Sequence, residues 1–186
     1  TLKVVQWKSI LEQNKMIFRY LTIFFTGIFV LIQFFSCRKP EKVSEIPQIK
    51  FVDIPIKDTL DDLGNPIRRA TLIYTLIDGD GDIGFQAADT IAPYNVGSKY
   101  YYNIYIDLYK RVQNQQVLIP LQAPFYFRTQ YIQPQGINKV LQCTLKVNMD
   151  FNLPTDIDSC EFVFYMYDRA QHQSNIERSG YRKLAP

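Results

Sequence analysis

A short acidic loop holds the side chains of this sequence that are best suited to chemistry. Asp78, Asp80 and Asp82 alternate with glycines in the run Asp-Gly-Asp-Gly-Asp-Ile-Gly. Carboxylates at every second position of a tightly coiled loop converge on one point, and calcium takes about six to eight such oxygens as ligands. The loop therefore predicts a calcium site. The alternative is an Asp-Gly turn whose carboxylates accept hydrogen bonds from backbone amides.

The acidic loop begins as an EF-hand loop does, and Asp89 stands at the twelfth position of that pattern. It departs from an EF-hand because Ile83 occupies the place of the required glycine. No helical spacing of apolar residues flanks the loop on either side. We therefore expect a calcium-binding loop between two strands.

A second motif lies near the end of the chain, in the run Tyr-Asp-Arg-Ala-Gln-His-Gln-Ser-Asn that starts at Tyr167. It resembles the Asp-Arg-Ala-Gly-Asn-x-Ser turn of immunoglobulin-like and fibronectin-like bacterial surface domains, with Gln171 in place of the usual glycine. Together with the acidic loop, this turn is similar to the motifs of a family of lipoproteins from Bacteroidetes-type bacteria. The resemblance implies a fold and a location in the cell envelope, and it implies no activity.

Alternating apolar and polar residues predict the elements that position these motifs. The expected strands are 50–56, 70–77, 100–112, 116–120, 125–132, 140–151, 161–167 and 176–184. The clearest alternation is in strand 140–151, where Leu145, Val147 and Met149 point inward and Lys146 and Asn148 point outward. Strands of this kind without helices predict an all-β fold, an antiparallel two-sheet sandwich of the immunoglobulin-like type. A barrel is the alternative.

The immunoglobulin-like order also predicts that the two motifs meet. The acidic loop follows the predicted strand B, and the second motif follows the predicted strand F. The B–C and F–G loops lie at the same end of such a sandwich. We therefore expect Asp168 to join Asp78, Asp80 and Asp82 around one ion, with a turn cap as the alternative role for Asp168.

The N-terminal part predicts where the protein is located. Residues 21–36 are uncharged and mostly apolar, Lys15 and Arg19 precede them, and Ser36 stands directly before Cys37. A basic segment, an apolar segment and a small residue at the cleavage site are typical of a signal peptide. The pattern resembles a bacterial lipoprotein signal, which implies that Cys37 is the acylated first residue of the mature chain. An uncleaved single-pass signal helix is the alternative.

These observations predict three parts, which are a leader and signal peptide over 1–36, a tether over 37–47 and a β-sandwich domain over 48–186. A lipid anchor at Cys37 would place the domain in the cell envelope, and we expect the outer membrane. The net charge of the chain is +3, but the part from Cys37 onward contains 17 basic and 17 acidic residues. Nucleic acid is therefore not an expected partner, because its binding requires a basic surface.

Catalytic chemistry has little support in the sequence. His172 is the only histidine, which excludes multi-histidine metal sites and leaves any serine–histidine arrangement dependent on one turn residue. We expect no enzyme activity and a surface position for His172. Cys143 and Cys160 either form a disulfide, as export would permit, or remain two buried thiols.

A row of tyrosines is the candidate binding surface. Tyr101, Tyr105 and Tyr109 lie on one face of the predicted strand C, and Tyr165 and Tyr167 lie on the neighbouring strand F. Tyrosine offers a large contact area with a polar end. We expect a lipid-anchored, non-enzymatic protein that binds another envelope component, as an accessory subunit of a membrane complex would. The alternatives are glycan binding by the same rings, and rings that only cover their own sheet.

Overall fold

The computed structural model describes residues 18–24, 26, 42–135 and 139–185. The chain divides into two units, Thr1–Glu41 and Lys42–Pro186. In the first unit, residues 18–24 and 26 are helical. Among the described residues, no helix has the length and apolar character needed to cross a bilayer. Cys37 and most of the predicted signal peptide lie outside the described residues.

The second unit consists of β-strands joined by loops. Its strands are β1 (Gln48–Asp53), β2 (Ile56–Leu60), β3 (Pro66–Asp78), β4 (Ile104–Val112), β5 (Gln115–Leu118), β6 (Phe125–Phe127), β7 (Leu141–Asn152), β8 (Ser159–Met166) and β9 (Glu177–Lys183). All strand pairings between them are antiparallel. The all-β prediction is confirmed.

The first sheet is built around β3, which has neighbours along both edges. β7 pairs with β3 in an unbroken register from Ile67 opposite Asn152 to Asp78 opposite Leu141. β2 and β1 share the other edge and pair with the two halves of β3 in turn. The prediction of a central strand at 70–77 is therefore confirmed.

The second sheet has the order β5-β4-β8-β9, and the short β6 also pairs with β4. The two sheets pack face to face and enclose one hydrophobic core. Tyr74 of the first sheet contacts Phe164 of the second, with ring centroids 5.2 Å apart, and Phe151 contacts Phe162 at 6.4 Å. The antiparallel two-sheet architecture predicted from the alternation is confirmed.

The alternation in β7 is the most regular of the structure. Every odd-numbered residue from Leu141 to Phe151 is buried or half-buried, and every even-numbered residue is exposed. This is the period-two pattern expected of a strand with one face on the core and one in solvent. The predicted facing of strand 140–151 is correct.

The limits of several predicted strands differ in the structure. The predicted strand 50–56 is two strands, because pairing with β3 is interrupted at Ile54 and Pro55, where the Ile54 amide donates to Asp53 Oδ1 at 2.8 Å. Pro55, which follows, has no amide hydrogen to continue a ladder. The predicted strand 100–112 begins only at Ile104, and the predicted strand 125–132 ends at Phe127.

The two cysteines of the sandwich are free thiols. Cys143 is half-buried in β7, and Cys160 is fully buried near the start of β8 in the other sheet. Burial raises the pKa of the Cys160 thiol to about 12. Of the two predicted alternatives, the structure has the separate thiols.

Candidate functional site

Two connections meet at one end of the sandwich. They are the β3–β4 loop, residues 79–103, and the β8–β9 turn, residues 167–176. Asp82 joins them, because its carbonyl oxygen accepts a hydrogen bond from the amide of Arg169 at 3.1 Å. Asp82 Oδ2 also accepts a hydrogen bond from the amide of Ala170 at 3.0 Å. The turn is thus held against the loop by backbone donors.

This contact brings three of the four predicted metal ligands together. One carboxylate oxygen from each of Asp78, Asp82 and Asp168 lies within 4.8 Å of the others. Asp78 and Asp168 are almost completely buried, with exposed fractions of 0% and 1%. Asp80, between the first two in sequence, has one buried oxygen as well. We refer to these four residues as the acidic cluster.

Some oxygens of the acidic cluster are used to shape the backbone. Asp78 Oδ2 accepts a hydrogen bond from the Asp82 amide at 3.1 Å. Asp168 Oδ1 accepts one from the amide of His172 at 2.7 Å, and Asp168 Oδ2 lies 2.9 Å from His172 Nδ1. Asp168 therefore caps the turn, as one of its two predicted roles requires, and also faces the other carboxylates.

Burial and mutual repulsion disfavour ionisation within the acidic cluster. Burial, together with the nearby charges of Asp80 and Asp82, raises the pKa of Asp78 to about 7. Burial and the charge of Asp168 raise the pKa of Asp82 to about 6. Burial also raises the pKa of Asp168. In the other direction, the hydrogen bond to Asp168 raises the pKa of His172, because it favours the imidazolium.

Glycines allow the β3–β4 loop to run against other backbone segments. A Cβ atom on Gly79 would lie 2.5 Å from the carbonyl oxygen of Ser44, which accepts a hydrogen bond from the Gly79 amide at 2.8 Å. Gly81 and Gly84 have φ values of 68° and 85°. A Cβ atom on Gly81 would overlap the carbonyl oxygen of Lys139, and one on Gly84 would overlap that of Gln130. Side chains at these positions would displace the carboxylates between them.

Two arginines hold the β3–β4 loop in place through polar and cation–π contacts. The guanidinium of Arg169 forms a two-pronged ion pair with the carboxylate of Asp89, whose pKa is lowered by this hydrogen bonding. Asp89, which stands at the twelfth position of the EF-hand pattern, is therefore engaged in an ion pair with Arg169. Arg128 Nη1 donates to the Tyr101 carbonyl at 2.7 Å, and its guanidinium lies 4.2 Å from the Phe85 ring centroid. The sequence did not point to Arg128, because its partners are distant in the chain.

The outer face of the second sheet carries a group of tyrosines in mutual ring contact, which we call the tyrosine cluster. Its members are Tyr100, Tyr102, Tyr105, Tyr126, Tyr165 and Tyr167. Tyr105 and Tyr165 are register partners on β4 and β8, and their rings stack with centroids 5.3 Å apart and planes 4° apart. Tyr126 of β6 extends the row, with its ring centroid 4.6 Å from that of Tyr105.

The tyrosine cluster is partly buried and has a cation at one end. The Lys99 ammonium lies 5.1 Å from the Tyr100 ring centroid and 5.3 Å from that of Tyr167. Burial raises the pKa of Tyr105 and of Tyr165 to about 12 each. The hydroxyls of Tyr105 and Tyr165 therefore remain protonated near neutral pH, and that of Tyr105 donates to the Lys99 carbonyl.

Two residues of the predicted tyrosine surface lie outside the observed cluster, and three members of the cluster, Tyr100, Tyr102 and Tyr126, were not predicted. Tyr101 does not lie on β4, which begins three residues later, and its ring contacts Tyr102 and the Arg128 guanidinium. Tyr109 lies on β4, but it is absent from the ring contacts found among the described residues. Sequence reasoning missed Tyr126, although its position between two inward-facing phenylalanines, in the run Phe-Tyr-Phe, was a usable signal.

The fold and this end of the molecule define an antiparallel β-sandwich with an acidic cluster between two of its loops and a tyrosine cluster on one outer face. Comparison of the chain with models of protein families, with curated proteins and with solved structures gave no match.

Proposed function

We propose that this protein is a lipid-anchored, immunoglobulin-like domain of the bacterial cell envelope that binds another envelope protein through its tyrosine cluster and catalyses no reaction. The observation that carries the proposal is the concentration of tyrosine rings on one sheet face. Three rings on the sheet and three in the adjoining connections, linked by pairwise ring contacts, are an arrangement suited to recognition, because tyrosine buries a large area on binding and keeps a polar end.

The immunoglobulin-like type is supported by the distribution of strands between the sheets. β3 and β7, the predicted strands B and E, share one sheet, and β4, β8 and β9, the predicted strands C, F and G, share the other. The β3–β4 and β8–β9 connections meet, as the B–C and F–G loops of that fold do. The tyrosine cluster then lies on the sheet that contains strands C, F and G.

A protein partner is favoured over a glycan by how the rings are placed. Tyr105 and Tyr165 stack on each other, so their faces are already covered. Tyr102, the most accessible of the strand-flanking rings at 36% exposed, contacts Tyr126 at 5.9 Å. A shallow aromatic face with Lys99 at one edge fits a complementary protein surface, whereas stacking on a sugar requires a free ring face.

We expect a photo-crosslinking amino acid at position 102 to yield a discrete adduct of higher mass in intact cells. The same amino acid at Val52 is the matched control, because Val52 is 53% exposed on β1 of the other sheet. Adding Tyr165→Ala should abolish the adduct formed from position 102. Identical adduct patterns from positions 102 and 52, or none from either, would contradict the proposed protein-binding face. Binding to a glycan array that Tyr102→Ala abolishes would instead favour the glycan alternative.

The lipid anchor has a separate test at Cys37. Intact mass measurement of the native protein should give a chain that starts at residue 37 and carries acyl groups. Cys37→Ser should leave the signal unprocessed or release the protein from the membrane fraction, while Cys143→Ser should leave processing unchanged. A native chain that is continuous through residues 16–36 and free of lipid would rule out the anchor.

A further inference from the structure

The acidic cluster has ligand capacity that the protein itself does not use. Asp78 Oδ1, Asp80 Oδ1 and Asp82 Oδ1 are each buried and have no hydrogen-bond partner among the described residues. Asp78 and Asp82 use their other oxygen to accept a backbone amide. A buried carboxylate oxygen without a partner is strongly unfavourable unless a positive charge compensates it.

The positive side chains near the acidic cluster are engaged elsewhere. Arg169, which follows Asp168, is paired with Asp89. His172 contacts Asp168, and its side chain is 44% exposed. Its imidazolium can therefore compensate the charge of Asp168, but it is not paired with the other three carboxylates. Within the described residues, no ion pair involves Asp78, Asp80 or Asp82. Among the described side chains, none is placed to supply the compensating charge to these three carboxylates.

The geometry matches calcium. Oxygens that coordinate calcium lie about 2.3–2.6 Å from the ion, so two ligands on opposite sides are up to roughly 5 Å apart. The oxygens of Asp78, Asp82 and Asp168 fall within this spread, since they all lie within 4.8 Å of one another. Magnesium usually keeps several of its waters and is held by one or two carboxylates, so a group of carboxylates from four residues favours calcium. Every free ligand is a carboxylate oxygen, which suits a hard cation and not zinc or copper.

Contacts within the protein hold the loop and the turn in place at the site. The close backbone approaches at Gly79, Gly81 and Gly84 fix the path of the β3–β4 loop. The Asp82 contacts with the amides of Arg169 and Ala170 fix the turn against the loop. An ion binding there would therefore need little rearrangement of the backbone.

We propose that Asp78, Asp80, Asp82 and Asp168 bind one calcium ion that joins the β3–β4 loop to the β8–β9 turn. Each carboxylate supplies one oxygen, and water or backbone carbonyls complete the coordination. The site stands independently of the proposed binding to an envelope protein, because none of its ligands belongs to the tyrosine cluster.

Thermal melts of the full chain in detergent test the site. Raising calcium from zero, in chelator, to 5 mM should increase the melting temperature by on the order of 5 °C, as an ion of affinity near 10⁻⁴ to 10⁻³ M does by binding only the folded state. Magnesium at the same concentration should give less than half this shift. Equal melting temperatures in chelator and in calcium, or equal shifts with the two ions, would overturn the proposal.

Asp80→Asn is the cleanest variant, because no backbone hydrogen bond among the described residues depends on its side chain. It should remove most of the calcium-induced shift, and Asp82→Asn should do the same. Asp62→Asn, the matched control, removes one carboxylate charge from an exposed turn and should leave the shift unchanged. In chelator, Asp80→Asn should melt at or above the wild-type temperature, because one like charge has gone. A calcium response retained by Asp80→Asn and Asp82→Asn alike would exclude these ligands.

Terbium luminescence provides a readout that does not depend on the stability of any variant. Terbium occupies calcium sites and emits when a nearby tyrosine is excited, and Tyr94 donates a hydrogen bond to the carbonyl of Arg169 beside the cluster. The wild-type chain should sensitise terbium emission, and calcium should displace it. Emission that persists in millimolar calcium, or that is equal in Asp80→Asn, would count against the site.

Discussion

Replacing Phe164 with alanine should lower the free energy of unfolding by about 3–5 kcal/mol, the cost of removing a large buried ring together with the cavity that remains. Phe164 is completely buried at the centre of the sandwich. Its ring contacts Tyr74 at 5.2 Å and Phe51 at 6.5 Å, so it joins the two sheets. Denaturant titration followed by circular dichroism would measure the loss.

Tyr102→Ala is the control for this substitution, because it also removes an aromatic ring but from a position that is 36% exposed. We expect a loss less than half as large, since its ring is already partly in contact with water. Similar losses for Phe164→Ala and Tyr102→Ala would show that the space between the sheets is not the main core of the domain.

In the presence of a chelator, the free energy of unfolding should fall as the pH is raised from 5 to 8. Asp78 has a pKa of about 7 when folded, against an ordinary value of 3.8. The folded chain therefore retains a proton that the unfolded chain has already released. This stabilisation is fully present below the pKa of Asp78 in the unfolded chain, and it is lost as the pH rises through its pKa in the folded chain. Asp82, with a pKa of about 6, acts in the same direction. The combined loss should be roughly 2–4 kcal/mol.

Three further groups with shifted pKa values affect this pH dependence. The raised pKa of His172 adds to the same trend, because its stabilising charge is lost as the pH rises. Asp58 and Asp89 have lowered pKa values and act in the opposite direction, but only in more acidic solution. Denaturant titrations between pH 5 and 8 avoid that region. Asp78→Asn should flatten the profile and Asp156→Asn should not, and a flat wild-type profile would mean that Asp78 ionises normally.

Regular strands were predictable from the sequence because burial repeats every second residue. The prediction was most accurate for β7, whose odd-numbered residues from Leu141 to Phe151 are buried or half-buried as expected. The hairpin turn before β3 is held by contacts between neighbouring residues, because Asp61 accepts hydrogen bonds from the amides of Leu63 and Asn65 at 2.9 and 2.8 Å. Local chemistry alone determines such a turn.

Strand ends were predicted less well, because contacts between distant segments determine them. Strand β4 begins at Ile104 since Asn103 is buried and bonded to Thr129, donating to its hydroxyl at 2.7 Å and accepting from its amide at 2.8 Å. Residues that continue the pattern of β6 leave the sheet for the β3–β4 loop, where the Phe85 amide donates to the Thr129 carbonyl at 3.0 Å. No spacing within either segment records its distant partner.

Part of the candidate site was predictable from the sequence, and part was not. The alternation of Asp78, Asp80 and Asp82 with glycine was visible locally, and the approach of Asp168 followed from the predicted order of strands. The ion pair that holds Asp89 away from the acidic cluster was not predictable, because Arg169 lies 80 residues further along the chain.

The double pairing of β3 has a consequence for how the protein moves. Most of its residues are paired with β7 on one side and with β1 or β2 on the other. Amide hydrogens enclosed in this way exchange with solvent only when a large part of the structure opens, whereas short edge strands such as β5 exchange through local fraying. Asp78 is the last residue of β3. We therefore expect the acidic cluster to be attached to a slowly exchanging segment of the domain, so that Asp78 keeps its place when the edge strands fray.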